Sequence, residues 1–199
     1  MLKNSQIGKS TSNFIGKTFS FIPLHPNYIT VLAVLLSVIA FFIWDNDPLL
    51  SFILFLVAFF FDIIDGAIAR FKNLTSKKGA FLDGISDRVV EFFLILVLFK
   101  VSFPDLIPLE IHYPLLFILF FGTCMTVFVK TYAHHHDLIK KDSALHLIGF
   151  MERAERSILL LIILGLFLFN YGTYATGLVY FTAVLSLATF LQRMHLVLK

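Results

Sequence analysis

"FFFDIIDGAIARFKNLTSKKGAFLDGISDRVVEFF", residues 59–93, sets four aspartates among apolar runs of the kind that cross a lipid bilayer. A carboxylate at membrane depth is costly and therefore usually functional. Asp62 and Asp65 are three residues apart and Asp83 and Asp87 are four apart, so each pair shares one face of a helix. Because only eight residues, "FKNLTSKK", connect the two runs, we predict that the helices pack as an antiparallel pair. The four carboxylates then lie at similar depth, where they are able to converge.

The composition is that of an integral membrane protein. The chain has 199 residues, of which 58% are hydrophobic, only 15% are charged and 25 are phenylalanines. This composition differs strongly from that of soluble globular proteins. A bilayer-spanning helix needs about 20 apolar residues. We predict an all-α fold with six transmembrane helices, in which residues 1–199 form one domain, 1–25 an N-terminal interfacial amphipathic helix and 26–199 a six-helix bundle. The predicted spans are 28–44, 49–71, 80–100, 113–133, 156–170 and 172–192.

Lysine and arginine predict the orientation, because cytoplasmic loops carry an excess of both. Fifteen of the sixteen cations fall near the two termini or around the second and fourth connections, and only Lys100 lies at an opposite end. Both termini and the aspartates are therefore expected on the cytoplasmic side of the cell membrane. Near the N-terminus, Lys9 and Lys17 lie beside apolar residues, which predicts a helix at the headgroup boundary. A disordered tail is the alternative. Nothing in the sequence indicates nucleic-acid binding.

The four aspartates have the chemistry of a divalent-metal site. Carboxylates that are close together in a region of low dielectric constant stay ionised only if cations compensate their repulsion. Oxygen ligands favour Mg²⁺ or Mn²⁺, with Ca²⁺ possible, and the absence of histidine and cysteine from the set argues against zinc. Two bridged ions would form the clamp that is typical of phosphoryl transfer. The alternatives are a structural network with Arg70, Arg88 and the loop lysines, or a proton relay.

Small residues share the face of the first aspartate pair. Gly66 and Ala69 lie one turn beyond Asp62 and Asp65, and Arg70 follows directly. Close helix packing explains small residues of this kind. The functional interpretation is that a nucleotide lies against this face and that Arg70 holds its phosphates.

The spacing DxxDGxxAR, eight residues, GxxxDxxxD resembles the signature of the CDP-alcohol phosphatidyltransferases. "HPNYIT" at 25–30 is similar to the Pro-Asn-x-x-Thr sequence at which the family's first span begins, and Ser76 matches a position that is usually Thr or Ser. The resemblance implies an enzyme that transfers a phosphatidyl-type group from a CDP-linked lipid to an alcohol and releases CMP. It also implies two Mg²⁺ or Mn²⁺ ions per site and a homodimer. The fixed positions are filled by Asp62, Asp65, Gly66, Ala69, Arg70, Gly79, Asp83 and Asp87.

The resemblance also assigns roles to individual residues. Asp62, Asp65 and Asp83 would be metal ligands, and Asp87 would contact metal and act as the general base that takes the proton of the acceptor hydroxyl. A positioned base and compensation of the diphosphate charge are what this reaction needs. The residues implied in CDP binding are Asn27, Thr30, Asp62, Gly66, Ala69, Arg70, Ser76 and Gly79.

Three further stretches bear on the acceptor. "GFMERAER" at 149–156, "LQRMH" at 191–195 and "DRVVE" at 87–91 are similar to the branch that makes phosphatidylinositol phosphate in actinobacteria and archaetidylinositol phosphate in archaea. That similarity implies that the acceptor is inositol 1-phosphate and that its phosphate is bound by three cations. The implied cations are Lys130, Arg153 and Arg193.

Other interpretations of these cations and of the reaction stay open. The cations are alternatively anchors at the membrane interface, the role that we assign to Lys140, Lys141 and Lys199. The Lys-Ala-Arg-Ala-Glu sequence of this branch is replaced here by "KTYAHHH" at 130–136. Its consecutive histidines point in different directions on a helix and indicate a hydrated, pH-sensitive helix end. Glycerol 3-phosphate or another alcohol is a possible acceptor, and CDP-inositol a possible donor. A cation or proton carrier is the alternative from a different class, although it should hold its carboxylates near mid-membrane.

Overall fold

The structure, a computed structural model, is all-helical, as predicted. It describes residues 14–19, 25–139 and 149–199, and within these ranges it contains no strand. The predicted interfacial helix at 1–25 and the predicted anchors Lys140 and Lys141 therefore lie largely or wholly outside the described residues. The long helices of the described part are α1 (Pro26–Ile43), α2 (Pro48–Phe71), α3 (Lys77–Lys100), α4 (His112–His135), α5 (Arg153–Leu168) and α6 (Gly172–Leu198).

Four of these helices are long and apolar enough to cross a membrane. They are α1, α2, α4 and α6, with mean hydropathies of 2.2, 2.3, 1.8 and 1.6. The first two thirds of α3 carry Asp83, Asp87, Arg88 and Glu91, which lower its hydropathy. Helix α5 has only 16 residues, fewer than the roughly 20 that a perpendicular span needs. Length and apolar composition thus identify four candidate spans in the described part of the chain.

Capping side chains start the first two helices. The His25 side chain accepts a hydrogen bond from the Asn27 N–H, and Pro26 occupies the first helical position of α1. Asp47 Oδ1 accepts the Leu50 N–H at 2.9 Å at the start of α2. A cap and an early proline both favour a helix N-terminus. These polar first turns explain why each helix begins one or two residues before the apolar stretch that predicts it.

Three helices end at a residue with positive φ that is not glycine. These residues are Asn73, Asp137 and Asn170, with φ of 54°, 56° and 66°. Asparagine and aspartate tolerate this left-handed conformation better than other side chains do. At each end the next N–H donates to a carbonyl of the last helical turn, which is the Schellman arrangement. The bonds run from Leu74 to Ala69, from Leu138 to Ala133 and from Tyr171 to Leu166, at 2.8, 3.0 and 2.8 Å.

The chain divides into two compact units, of which the first is Met1–Leu94. In this unit α1 and α2 pack as an antiparallel pair, with Ser51 Oγ donating to the Ala40 carbonyl at 2.8 Å. Ala33, Ala58 and Val90 form a buried cluster that joins α1, α2 and α3. Small residues at such contacts let helix backbones approach closely. The packing fixes the ends of α2 and α3 that carry the aspartates.

The second unit is Ile95–Lys199, in which α4 and α5 both pack against α6. Helix α4 contains a π-helical stretch, Ile118–Met125, and stretches of this kind often mark functional sites. A Cβ on Gly122 would lie 2.8 Å from Ser186 Oγ and 3.0 Å from Arg156 Cδ, so a glycine is needed for the close approach of these helices. Arg156 and Arg193 are both buried in this unit.

Candidate active site and metal centre

Three of the four predicted aspartates converge. Asp62 from α2 and Asp83 and Asp87 from α3 each place a carboxylate oxygen within 4.8 Å of the others. Asp87 is buried, and Asp62 and Asp83 are half-buried. The Schellman turn at Asn73 reverses the chain between the two helices, which brings their facing turns together. The cluster therefore follows from the spacing of the aspartates and from the short connection.

Asp65 does not belong to the group of three whose carboxylate oxygens lie within 4.8 Å of one another. Its Oδ2 accepts a hydrogen bond from Thr30 Oγ1 at 2.5 Å, across the contact between α2 and α1. Its Oδ1 is buried and has no hydrogen-bond partner in the structure. A buried, unsatisfied carboxylate oxygen is expensive. Asp65 shares a face of α2 with Asp62, so its Oδ1 has the position and the chemistry that a predicted metal ligand requires.

Arg88 contacts one oxygen of Asp87. Its Nη1 lies 3.2 Å from Asp87 Oδ2 and also donates to the Gly84 carbonyl at 2.9 Å. Part of the salt-bridged network considered as an alternative is therefore present. Arg88 therefore offsets part of the negative charge of Asp87.

The donor set fits hard divalent cations. The converging ligands are carboxylate oxygens alone, and no histidine or cysteine belongs to the group. Mg²⁺ and Mn²⁺ prefer such ligands. In the described ranges the histidines at 134–136 form no comparable cluster, and all three are exposed.

A pocket beside the aspartates is lined by most of the residues predicted to hold CDP. It lies within the first unit, between the start of α1, the end of α2 and the start of α3. Asp65 and Asp83 also line it, so two of the predicted metal ligands border the predicted nucleotide pocket, whereas Asp62 is not among its lining residues. The predicted CDP-binding residues that it brings together are Asn27, Thr30, Gly66, Ala69, Arg70, Ser76 and Gly79.

Local structure makes this pocket suitable for an anion. Ser76 caps α3, since its Oγ accepts the Gly79 N–H at 3.0 Å. The N-terminus of α3 therefore faces the pocket with the partial positive charge of a helix start. A Cβ on Gly66 would lie 3.3 Å from Arg70 Nη1, which shows that the guanidinium lies back across Gly66. Gly66 thus leaves room for the arginine as well as for a ligand.

We expect Gly79→Ala to weaken binding of the CDP-lipid. The new Cβ would lie 3.1 Å from Ser76 Oγ and 3.3 Å from Asn27 Oδ1, which narrows the pocket. Overpacking at well-packed sites costs about 1–3 kcal/mol, so the KM for the CDP-lipid should rise about 5-fold or more. Initial rates of CMP release at varied CDP-lipid measure the effect.

Gly84→Ala is the matched control, on the same helix five residues later. A Cβ there meets nothing within 4 Å. The KM should be unchanged, and helix propensity should stabilise the protein by about 0.5–1 kcal/mol. Equal KM values for the two variants would contradict the prediction that this pocket binds the CDP portion of the donor.

Two of the three predicted acceptor cations meet at one carboxylate, Glu152. Arg193 Nη2 donates to Glu152 Oε1 at 2.6 Å, and Lys130 Nζ lies 4.0 Å from Glu152 Oε2. Arg193 is only 3% exposed, and its Nη1 donates to the Thr126 carbonyl at 2.8 Å. Arg153 is the first residue of α5 and directly follows Glu152. The structure thus brings Lys130 and Arg193 together within the second unit.

Glu152 was missed by the sequence analysis. The sequence does contain a signal for it, because Glu152 and Glu155 form a capping box at the start of α5. Each side chain accepts the backbone N–H of the other residue. Burial alone would raise the pKa of the Glu152 carboxyl, but the Gly149 N–H, the hydrogen bond and charge of Arg193 and the charge of Lys130 outweigh it and lower the pKa. A carboxyl with a lowered pKa contributes stability above its ordinary value of 4.5 and loses it as the pH falls through the folded value. The Glu152 contacts are therefore fully formed at neutral pH.

The departure at "KTYAHHH" forms an exposed stack of rings. Tyr132 stacks on Phe128 with ring centroids 5.0 Å apart and meets His136 at 4.3 Å. Tyr132 is half-exposed, and the ring of His136 is exposed at the end of α4. Tyr132 therefore stacks on Phe128 at the position where the similar branch has arginine, and His134, at the glutamate position, is exposed.

The fold and the aspartate site define a class of enzyme. The pattern described as CDP-alcohol phosphatidyltransferase matches residues 23–190, and the chain belongs to that family. It is a CDP-alcohol phosphatidyltransferase, a transferase of phospholipid biosynthesis. The family is metal-dependent and uses a CDP-lipid donor and an alcohol acceptor.

The chain is also similar to individual enzymes of this family. The archaetidylinositol phosphate synthase of Pyrococcus horikoshii is 30% identical over 182 residues, 91% of this chain and 87% of that protein. A crystal structure of the Mycobacterium tuberculosis phosphatidylinositol phosphate synthase with CDP-DAG bound has a TM-score of 0.73 at 24% identity and covers 94% of each chain. The same enzyme with manganese and citrate also has a TM-score of 0.73, at 23% identity over 94% of this chain and 89% of that chain. These two structures share the fold of this chain.

Proposed function

We propose that this enzyme moves a phosphatidyl-type group, diacylglycerol phosphate or archaeol phosphate, from a CDP-linked lipid to inositol 1-phosphate and releases CMP. The observation that carries the proposal is the convergence of Asp62, Asp83 and Asp87 beside a pocket lined by the remaining motif residues. The inositol phosphate acceptor is supported by the named relative from Pyrococcus and by the meeting of Lys130 and Arg193 at Glu152.

The metal centre is proposed to hold two ions, Mg²⁺ or Mn²⁺. Asp62, Asp65, Asp83 and Asp87 would be their ligands, and the unsatisfied Asp65 Oδ1 supports including Asp65. When bound, such ions neutralise the charge that develops on the phosphates of the donor. The manganese in the Mycobacterium enzyme supports a divalent ion in this fold.

Asp87 is proposed to act as general base as well as ligand. It would take the proton of the acceptor hydroxyl, whose oxygen forms a new bond to the lipid-bearing phosphorus. The bond between that phosphorus and the bridging oxygen breaks, and CMP leaves with the bridging oxygen. Burial of Asp87 beside Asp83 supports the role, because a base must be held in place within reach of its proton.

The CDP portion is proposed to lie in the pocket of the first unit. Arg70 and the N-terminus of α3 would hold the diphosphate, since both present positive charge to the pocket. Gly66, Ala69 and Gly79 would leave space for the nucleotide. Asn27 and Thr30 would contact it from the start of α1.

The acceptor phosphate is proposed to bind Lys130, Arg153 and Arg193. Arginine and lysine on separate helices suit a phosphate dianion, because guanidinium groups bind its oxygens in a fork. The convergence of Lys130 and Arg193 on one anionic side chain supports an anion site in the second unit.

The membrane arrangement is also proposed. Helices α3 and α5 would complete a bundle of six spans within a single domain of residues 1–199, with 1–25 as an interfacial helix. The positions of lysine and arginine support both termini and the active site on the cytoplasmic side of the cell membrane. Contacts of Ile15 and Phe19 with the cluster of Ile29, Ile64 and Ile68 tie residues 14–19 to the first unit. A homodimer is proposed from the family resemblance.

CMP release by the purified full chain tests the proposed function. CDP-diacylglycerol and CDP-archaeol are each offered with inositol 1-phosphate, glycerol 3-phosphate, serine or free inositol, with Mn²⁺, Mg²⁺ or a chelator. We expect release that depends on the metal and on inositol 1-phosphate. Release with another acceptor alone would overturn the acceptor assignment. Metal flux through proteoliposomes without CMP release would favour a carrier.

Arg193→Ala should raise the KM for inositol 1-phosphate and leave the KM for the CDP-lipid nearly unchanged. Hydrogen bonds to charged groups are worth about 1.5–3 kcal/mol, so an increase of about 10- to 100-fold is expected. Arg193→Lys keeps the positive charge but loses the forked pair of N–H donors. Its KM for inositol 1-phosphate should lie between the values of the unsubstituted enzyme and of Arg193→Ala. Steady-state kinetics with each substrate varied in turn measures both constants.

Lys199→Ala serves as the control, because Lys199 is exposed at the end of the chain and assigned as an anchor. Both KM values should equal those of the unsubstituted enzyme. An unchanged acceptor KM in Arg193→Ala would remove Arg193 from the acceptor site.

A further inference from the structure

We propose that Glu152 is a positioning residue for the acceptor, whose Oε1 holds the Arg193 guanidinium in the orientation that a phosphate group requires. The inference rests on the proposed function, because it takes Arg193 as a ligand of a phosphorylated acceptor. It adds a residue that neither the motif nor the family comparison assigns.

Arg193 is held by two of its five N–H groups. Nη2 donates to Glu152 Oε1 at 2.6 Å and Nη1 donates to the Thr126 carbonyl at 2.8 Å. Two bonds from different nitrogens fix the plane of the guanidinium, which is rigid. Nε is buried and has no hydrogen-bond partner in the structure. A buried donor without a partner is costly, and an anion that reached it would remove the cost.

Glu152 is itself anchored, so it can define a position. Its Oε1 also accepts the Gly149 N–H at 2.8 Å. The preceding segment is fastened to α6, because the Phe150 N–H donates to Gln192 Oε1 at 2.9 Å and the Met151 N–H donates to Thr189 Oγ1 at 3.1 Å. One carboxylate oxygen is therefore shared between a fixed backbone N–H and the arginine.

Gly149 has a clear reason to be glycine. A Cβ at this position would collide with Thr189 Cγ2 and would lie 3.5 Å from Arg193 Nε. The missing side chain lets the segment pack directly against Thr189 of α6, next to Arg193. The contacts of Gly149 and Glu152 thus act together on the same guanidinium.

The charges of the cluster also suit an anion. Lys130 and Arg193 carry two positive charges and Glu152 one negative charge, which leaves one positive charge in excess. Lys130 Nζ lies 4.0 Å from Glu152 Oε2, which is longer than a hydrogen bond. Glu152 therefore attracts the lysine by charge, whereas it orients the arginine by direct contact.

Glu152 variants separate the position of this oxygen from its charge. Glu152→Gln keeps an oxygen at the same distance along the side chain and removes the charge. Glu152→Asp keeps the charge and withdraws the oxygen by one methylene, and Glu152→Ala removes both. Glu155→Gln is the control, since Glu155 is exposed, carries the same charge three residues later and keeps a capping oxygen as the amide.

Binding of inorganic phosphate to the purified full chain, measured by calorimetry in detergent, is the first readout. We expect the Kd to rise about tenfold or more in Glu152→Asp and Glu152→Ala, and to stay within about threefold in Glu152→Gln and Glu155→Gln. The KM for inositol 1-phosphate should follow the same order. The KM for the CDP-lipid should not change, a pattern that a general loss of stability would not produce.

Several outcomes would overturn the inference. Wild-type affinity in Glu152→Asp would show that the position of the oxygen does not matter, and an equal loss in Glu152→Gln and Glu152→Ala would show that only the charge matters. If inositol 1-phosphate supports CMP release but one of these two results is found in the Glu152 variants, the inference fails and the proposed function stands. If the unsubstituted enzyme uses only unphosphorylated alcohols and binds no phosphate, the proposed acceptor and the inference fail together.

Discussion

Asp87→Asn should abolish turnover while the enzyme still binds its CDP-lipid. The amide is isosteric with the carboxylate but accepts no proton at neutral pH, so the acceptor hydroxyl loses its base. General-base catalysis raises a reaction rate by about 100- to 10,000-fold. The kcat of Asp87→Asn should fall by that factor or more, because Asp87 is also a proposed metal ligand. Single-turnover CMP release measures the chemical step, and equilibrium binding of the CDP-lipid measures what remains of the site.

The control for this variant is Asp105→Asn. Asp105 is exposed in the loop after α3 and undergoes the same loss of charge. Its turnover should be that of the unsubstituted enzyme. If Asp87→Asn kept a normal kcat, Asp87 would not be the base, and its burial beside Asp83 would have only a structural meaning.

Asp83→Asn should lose both tight metal binding and activity. Asp83 belongs to the converging group and also lines the nucleotide pocket. A bound divalent ion supplies several kcal/mol of transition-state stabilisation, so weaker metal binding in Asp83→Asn should lower kcat/KM by about a hundredfold or more. Titration of Mn²⁺, followed by the loss of its free electron paramagnetic resonance signal, measures metal affinity apart from turnover.

A partial rescue gives this prediction a second test. If Asp83 is a ligand, raising the Mn²⁺ concentration should restore part of the activity of Asp83→Asn, whereas it should not restore Asp87→Asn to the same extent. Mn²⁺ affinity equal to that of the unsubstituted enzyme would contradict the metal assignment of Asp83. Asp105→Asn again serves for comparison.

The convergence of the aspartates was predictable because it depends on local geometry. Spacings of three and four residues place side chains on one helix face whatever the rest of the fold does, and a short connection forces α2 and α3 to be neighbours. These expectations need no knowledge of distant contacts. Ser76 and Gly79 were instead assigned from the family resemblance, and in the structure they lie at the start of α3, which begins three residues before the predicted span.

The orientation of Asp65 was not predictable in this way. Spacing assigns Asp62 and Asp65 to one face, but it does not say which partner each carboxylate selects. Thr30, from a different helix, donates a hydrogen bond to Asp65 Oδ2, and Asp65 does not belong to the group of three. Side-chain direction depends on tertiary neighbours, about which a single sequence gives little information.

Glu152 illustrates the same limit in the second unit. Its capping box can be read from the sequence, and that interpretation would have made it a helix start without any link to the acceptor cations. Its contact with Arg193 joins residues that are 41 positions apart. Long-range pairs of this kind become visible only when α5 and α6 are seen packed together.

Diffraction from crystals grown with Mn²⁺ and a CDP-lipid, measured at the manganese absorption edge, tests the central claim most directly. The account predicts anomalous peaks bounded by the carboxylates of Asp62, Asp65, Asp83 and Asp87, with the diphosphate of the lipid on the same ions. Well-ordered carboxylates with no manganese between them, or a diphosphate bound elsewhere, would contradict it.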